Sequence, residues 1–388
     1  MQVSNKKNIA IFTAARSEYG LLKPLILAMK KEPSFNTHIL VGGAHFLEEQ
    51  GNTYQEILED GFEISYRFEY LTNATENENI TKANGLLQIQ FSEYLANHQT
   101  DLVIVLGDRS ELIPIVSTAM LLGIPVAHIS GGDVTEGSTD NQVRHAVTKM
   151  SHIHFPATET YKKNILRMGE EECRICVAGE PGLDSILSMS YPDKTELFKS
   201  LKLDLTKPVI LSTFHTETID NKITPSFITD LVAKIIETNK YQLLFTAANT
   251  DIGGSEINAA LEKLSSENKD IHFVKSLGKL RYYSMLKYST LVLGNSSSGL
   301  VEAQSYKLPA INVGNRQLGR LKNKNVYDVA VNVNDIMNAL SFVQDVQFKK
   351  LFVNEENIYG DGHACERIVS YLKEVDFNKL LHKRSIFE

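Results

Sequence analysis

Thr290-Leu291-Val292-Leu293-Gly294-Asn295-Ser296-Ser297-Ser298-Gly299-Leu300-Val301-Glu302 is the stretch that decides how this chain folds. Residues Thr290–Leu293 read as a short apolar strand, and Ser298–Tyr306 as a helix, with a polar turn between them. Free N–H groups at a helix start, joined by three hydroxyls, make an anion site. Glu302 falls one helical turn further in, where a carboxylate accepts two ribose hydroxyls. Such a loop suits the diphosphate and ribose of a nucleotide or nucleotide sugar. It holds no Lys and does not fit G-x-x-x-x-G-K-S/T, so it is not the ATPase type of phosphate loop.

The same strand–turn–helix grammar extends both ways along the chain. Upstream come strand Pro208–Ser212, helix Ser226–Thr238, strand Tyr241–Thr246, helix Ser255–Ser265, strand Ile271–Val274 and helix Lys279–Lys287; strand Ala310–Val313 follows. An earlier set holds strands Asn8–Thr13, His38–Val41, Asp101–Leu106 and Pro125–Ile129. Its helices are Glu18–Lys31, Tyr54–Asp60, Leu112–Leu122 and Gln142–Met150. Alternation of this kind is the mark of βαβ units in a parallel sheet. The polar segment Ser188–Lys207 separates the two sets, giving an N-terminal domain over 1–187 and a second over 188–361. The expected class is α/β, with two doubly wound Rossmann-like domains facing across a cleft. In such sheets ligands bind beyond the carboxyl ends of the strands.

Polar residues gather where that rule directs. Arg16 follows the first strand and suits a phosphate, or else is a solvated surface Arg; the segment is not G-x-G-x-x-G, so a dinucleotide fingerprint is missing. Gly107-Asp108-Arg109 follows the buried strand, either as site residues or as a helix cap with its ion partner. Ser130 to Asp140 is a glycine-rich loop holding Asp133, Glu136 and Asp140, ahead of Arg144 and His145. EF-hand spacing is absent, so the carboxylates read as acid–base candidates rather than metal ligands. In the second set, His215, Asn249, the Ser loop and Arg316 lie at successive strand ends. Cys173 and Cys176 form a CxxC that runs into a strand-like segment, which favours a structural role.

The 388 residues carry a net charge of −7, which argues against nucleic acid as the main partner but not against an anionic small molecule. Three cysteines point to a reducing compartment. The apolar region Leu112–Ile129 is broken by Pro114, Gly123, Pro125 and His128, unlike a membrane span. A cytoplasmic protein with no membrane partner is expected.

Taken in order, the segments TAARSEYG (13–20), LGDR (106–109), HISGGDVTEGSTDNQVRHAVTKMSHIHF (128–155), GNSSSGLVEA (294–303), NVGNRQLGR (312–320) and YGDGHACERI (359–368) resemble the UDP-N-acetylglucosamine 2-epimerases, specifically their hydrolysing branch. The resemblance spans nearly the whole chain. It implies a glycosyltransferase-B type fold with UDP in the interdomain cleft, and a last helix, over 362–388, that crosses back onto the first domain. UDP would be held by Arg16, Arg109, His215, Asn249, Ser296, Ser297, Glu302 and Arg316, with Leu277 meeting uracil through its backbone. The family's catalytic aspartates fall on Asp108 and Asp140, with Glu136 and Asp133 as rivals for the second; His215 is a further catalytic candidate. Human-like members read HIEGG with a catalytic Glu where this chain has Ser130. A neighbouring carboxylate, or substrate and water, must then supply the third proton-handling group, and the smaller Ser leaves room for a second acetamido group on the sugar.

The implied reaction eliminates UDP to give a 2-acetamidoglucal, then adds water to release the manno-configured sugar. It needs no redox cofactor, because C2 inverts through an alkene, and no metal or other cofactor is expected. Homodimers and homotetramers are usual in the family. The substrate is UDP-N-acetylglucosamine or its 2,4-diacetamido-2,4,6-trideoxy analogue. A non-hydrolysing epimerase, a glycosyltransferase on the same scaffold and a non-catalytic nucleotide-sugar sensor are the rival readings.

Overall fold

In a computed structural model the described residues are 6–48, 51–71, 77–135, 139–217, 222–248, 253–384 and 386. They form two units, each built on a six-stranded parallel sheet. The first comprises the described residues of Met1–Asp133, Thr139–Leu187 and Tyr359–Glu388; the second comprises those of Val134–Ser138 and Ser188–Ile358.

The first unit contains β1 (Lys7–Thr13), α1 (Arg16–Lys31), β2 (Phe35–Gly42), α2 (Tyr54–Glu59), β3 (Tyr66–Phe68), α3 (Asn77–Asn97), β4 (Leu102–Leu106), α4 (Leu112–Leu121), β5 (Val126–Ile129), α5 (Thr139–Met150), β6 (Ile153–Phe155), α6 (Glu159–Arg167) and α7 (Pro181–Ser188). The strand order is β3-β2-β1-β4-β5-β6. Side chains alternate across a strand. Ile9 and Ile11 of β1 therefore join one core with Leu22 and Ile26 of α1, while Ala10 and Phe12 join another with Leu87 and Phe91 of α3. Both faces are covered, which is why Leu102–Leu106 is an unbroken apolar run rather than an alternating one.

The second unit contains α8 (Lys194–Ser200), β7 (Val209–Thr213), α9 (Pro225–Glu237), β8 (Gln242–Thr246), α10 (Gly254–Glu267), β9 (Ile271–Val274), α11 (Gly278–Tyr288), β10 (Leu291–Gly294), α12 (Ser298–Val301), β11 (Ala310–Val313), β12 (Val326–Val329), α13 (Val333–Phe342) and α14 (Val346–Lys350). Its order, β12-β11-β10-β7-β8-β9, again places the first strand in the middle. In both sheets the strand order thus reverses beside the first strand, between β1 and β4 and between β7 and β10.

The chain returns to the first unit at Tyr359 and ends in α15 (Ala364–Glu374) and α16 (Phe377–Leu380). Ile368 and Leu372 of α15 are fully buried in the core of Ile9 and Leu22, each contributing about 1.5–3 kcal/mol. The Asp184 carboxylate of α7 accepts the Ala364 and Cys365 N–H groups at 2.9 and 2.7 Å, capping α15.

Three features depart from the sequence reading. First, β3 and the 21-residue α3 occupy a region where the reading had no element. The signal was present in Ala83, Leu87, Phe91 and Tyr94, a buried stripe at helical spacing, but Asn, Gln and Gly85 dilute it. Second, α5 begins at Thr139 rather than Gln142, so Asp140 sits in a helical first turn and not in the preceding loop. Third, the expected helix Ser298–Tyr306 is one α-turn, α12, followed by a 3-10 turn over Ala303–Tyr306. Among the described helices none is long and apolar enough to cross a membrane.

Candidate active site

In the first unit, the rim beyond β1, β4 and β5 holds Arg16, Asp108, Arg109 and Ser130. Leu106 pairs with Ile129, so Gly107 and Ser130 leave adjacent strands side by side. The buried ring of His128 links the two strand ends: its Nε2 lies 2.8 Å from the Gly107 carbonyl and Nδ1 3.1 Å from the Thr148 hydroxyl. A carbonyl only accepts, so Nε2 carries the proton and Thr148 donates to Nδ1. Burial pushes the His128 pKa down to about 3, so this ring is a neutral strut. The paired glycines after Ser130 are sterically required. A Cβ on Gly132, at φ +80°, would lie 2.5 Å from the Tyr161 carbonyl oxygen.

Asp108 forms an ion pair with Arg144, whose side chain is only 3% exposed. Asp140 lies four residues before Arg144 on α5, hence on the same helix face as the cation that holds Asp108. Arg144, a buried cation thirty-six residues away in sequence, is thus the partner that holds Asp108. Glu136 lies outside the described residues.

Arg109 is less available than expected. Its Nη2 lies 2.8 Å from Glu111, and Nε 3.8 Å from Glu18. Burial opposes its charge, but the two carboxylates outweigh burial and hold its pKa above the usual Arg value. Glu18 is the stranger group. One oxygen accepts the Ala14 and Ala15 N–H groups at 2.7 and 3.2 Å, yet burial raises its pKa to about 7 despite Arg109. Arg16, the first residue of α1, is paired with Glu56 at 2.5 Å and is about one-third exposed. Both arginines must share these carboxylates with any phosphate they bind.

In the second unit the rim beyond β7 and β10 is organised by Asn295, which is fully buried. Its Oδ1 accepts the His215 N–H at 2.7 Å and its Nδ2 donates to the His215 carbonyl at 2.8 Å. This two-way clamp fixes the backbone of the candidate His to the Ser loop. The close approach requires Gly294: a Cβ there, at φ +147°, would lie 2.0 Å from the Thr213 carbonyl oxygen. Gln317 and Arg316 donate to the Asn295 carbonyl at 2.9 and 3.3 Å. Glu217 in turn accepts the Asn315 and Arg316 N–H groups at 2.8 and 3.0 Å. His215, the Ser loop and Arg316 are thus brought together by Asn295, Gln317 and Glu217, which the sequence reading did not single out. Glu217 follows His215 by two residues, the signal that would have found it.

Within the loop, the Gly299, Leu300 and Val301 N–H groups are accepted by the carbonyls of Ser296 and Ser297, leaving a smaller set of donors than a long helix would present. Ser296 and Ser297 are half-buried. Glu302 Oε2 is buried and has no hydrogen-bond partner among the described residues. Burial raises the Glu302 pKa, while the neighbouring Ser298 hydroxyl, the Glu302 N–H and then the charges of Lys279 and Arg320 oppose the rise. Leu277 is buried and precedes α11, the helix that carries Lys279. Asn249 lies outside the described residues. Among the described residues no group of three or more His, Cys, Asp or Glu could hold a metal ion.

Comparison with known proteins agrees with this architecture. The family model described as UDP-N-acetylglucosamine 2-epimerase matches residues 27–373. A Campylobacter jejuni protein named GDP/UDP-N,N'-diacetylbacillosamine 2-epimerase (hydrolyzing) is 35% identical over 98% of this chain and 99% of its own length. The Escherichia coli polysialic acid biosynthesis protein P7 is 32% identical over 97% of this chain and 96% of its own. The S. aureus MnaA–UDP structure superposes with a TM-score of 0.80 at 19% identity, covering 99% of this chain and all of its own, a likeness of fold. From the match over most of its length, the chain belongs to the UDP-N-acetylglucosamine 2-epimerase family.

Proposed function

We propose that this protein is a hydrolysing UDP-sugar 2-epimerase, converting UDP-N-acetylglucosamine to UDP and N-acetylmannosamine for nonulosonic acid synthesis. The observation that carries the reading is Glu302: a buried carboxylate oxygen without a partner, one turn beyond the Ser296–Ser297 hydroxyls. A group so placed is completed by a ligand hydroxyl, and a ribose supplies two. The name of the C. jejuni relative supports hydrolysis as the outcome for this chain.

In this reading Ser296, Ser297, His215, Asn249, Arg316 and Leu277 hold UDP with Glu302, and Arg16 and Arg109 bear on the diphosphate. The C2 proton is not acidic, so C1–O cleavage runs ahead and builds oxocarbenium character. Stabilising the departing diphosphate is then a large part of catalysis, with one donor worth about 3 kcal/mol. Asp108, oriented by Arg144, removes the C2 proton, with Asp140 and Glu136 as the other carboxylates of this set. Water then adds to the glucal.

UDP-N,N'-diacetylbacillosamine is the second reading, favoured by the substrate named for the C. jejuni relative and by the small side chain at Ser130. Incubating the protein with each UDP-sugar and identifying products by NMR tests both. Free UDP with a free manno-configured sugar is expected; an intact nucleotide sugar as product overturns hydrolysis. A homodimer or homotetramer in the cytoplasm is the proposed state, checked by light scattering and fractionation.

A further inference from the structure

Inversion at C2 through an alkene sets a stereochemical demand. In an anti elimination the proton leaves one face of the ring, and to give the manno configuration it must return to the opposite face. One fixed carboxylate cannot serve both faces. Asp108 takes the proton from one face in the reading above, so a second proton-handling group is required to return it to the other.

The rim of the first unit contains one. The Ser130 hydroxyl donates to both oxygens of Glu180 at 3.0 Å, across fifty residues of sequence. Glu180 is only 8% exposed, whereas Ser130 is half-buried, so the hydroxyl is the more accessible end of this pair. The backbone holds both ends. Ser130 sits at φ +60°, a left-handed conformation that costs a residue with a Cβ about 1–2 kcal/mol. The Glu180 N–H donates to the Tyr359 carbonyl at 2.8 Å, and the α-carbon of Gly360 would lie 3.3 Å from a Cβ on Gly179. Gly107 and Ser130 leave paired strands together, so this hydroxyl shares its rim with Asp108.

We propose that Glu180, acting through the Ser130 hydroxyl, returns the proton to C2 in the hydration step; this rests on the epimerase reading above. Protonated Glu180 donates to the Ser130 oxygen as the Ser130 proton passes to C2, breaking the C1–C2 π bond. Water bonds to the resulting C1 cation and gives up a proton that restores Glu180. The proton first taken from C2 leaves Asp108 for solvent or departing UDP. The sum is glucal plus water to free sugar, with no redox change.

The test follows products, not rate alone. Wild type, Glu180→Gln, Glu180→Asp and Ser130→Ala are incubated with UDP-N-acetylglucosamine or UDP-N,N'-diacetylbacillosamine, and UDP, glucal and sugar are resolved by NMR. Glu180→Gln should still release UDP but slow hydration by about 10²–10³-fold, so that the 2-acetamidoglucal becomes the main organic product. Ser130→Ala should shift products the same way, and Glu180→Asp should recover part of the sugar. Thermal unfolding and UDP affinity report folding; if Glu180→Gln does not fold, Ser130→Ala decides. Unchanged product ratios in the folded variants, or equal loss of UDP release and hydration, overturn the proposal. Wild type that releases no UDP from either substrate overturns the epimerase reading itself, and this one with it.

Discussion

In the first unit the rim beyond β1, β4 and β5 carries charges that pair with one another: Asp108 with Arg144, Arg109 with Glu111 and Glu18, and Arg16 with Glu56. In the second, the rim beyond β7 and β10 carries amides and hydroxyls locked by Asn295, with Glu217 bonded to the backbone and Glu302 keeping one buried oxygen, Oε2, without a hydrogen-bond partner among the described residues. The strand order is the same in both, with the first strand central. The contrast teaches that one topology supplies the place and leaves the chemistry to the loops. Paired charges suit proton transfer, because a small movement changes what each carboxylate feels. Rigid amides suit holding a nucleotide.

Four experiments can break or sharpen that contrast. The largest effect should come from Asp108→Asn, which should lower the rate of UDP release about 10³-fold with UDP affinity nearly unchanged. Calorimetry with UDP beside a turnover assay checks it; a parallel loss of affinity would dissolve the division of labour between the rims.

Next is Glu18. Its folded pKa, about 7, lies above the ordinary value of 4.5, so the folded state keeps a proton that the unfolded chain has lost. Stability is therefore greatest below pH 4.5 as regards this group, and falls as pH rises towards 7, by on the order of 3 kcal/mol. Glu18→Gln should remove that slope and be the more stable protein at pH 8. Urea unfolding of both proteins from pH 4 to pH 8 measures it, and parallel curves would mean that Arg109 compensates the charge fully.

Asn295→Ala should cost about 2–3 kcal/mol, because it leaves the His215 N–H and carbonyl without their partner. A variant that unfolds like wild type would show the clamp to be replaceable by water. The smallest effect is expected of Glu302→Gln, which should weaken UDP about tenfold, or about 1.4 kcal/mol, and leave deoxyuridine diphosphate less affected. Equal losses for both nucleotides would remove the ribose contact.

Much of this was legible beforehand. Central strands such as Leu102–Leu106 and Ala310–Val313 are buried on both faces and so announce themselves as apolar runs. The edge strands β3 and β12 are short and partly exposed, and the reading did not find them. Arg16, Asp108, His215 and Ser297 stood out because strand ends are where a doubly wound sheet exposes polar groups. Their partners did not stand out. Arg144 lies thirty-six residues from Asp108, and Asn295 eighty from His215.

The chain's own order of apolar runs, turns and glycines determined two parallel sheets and the rims at which chemistry is placed, because periodicity and backbone sterics act over a few residues. Only the tertiary structure decided that Arg144 neutralises Asp108, that Asn295 clamps His215, and that Ser130 is bonded to Glu180. Those pairings depend on strands laid side by side from distant parts of the sequence, and electrostatic and hydrogen-bond energies are fixed by distance in space, not along the chain.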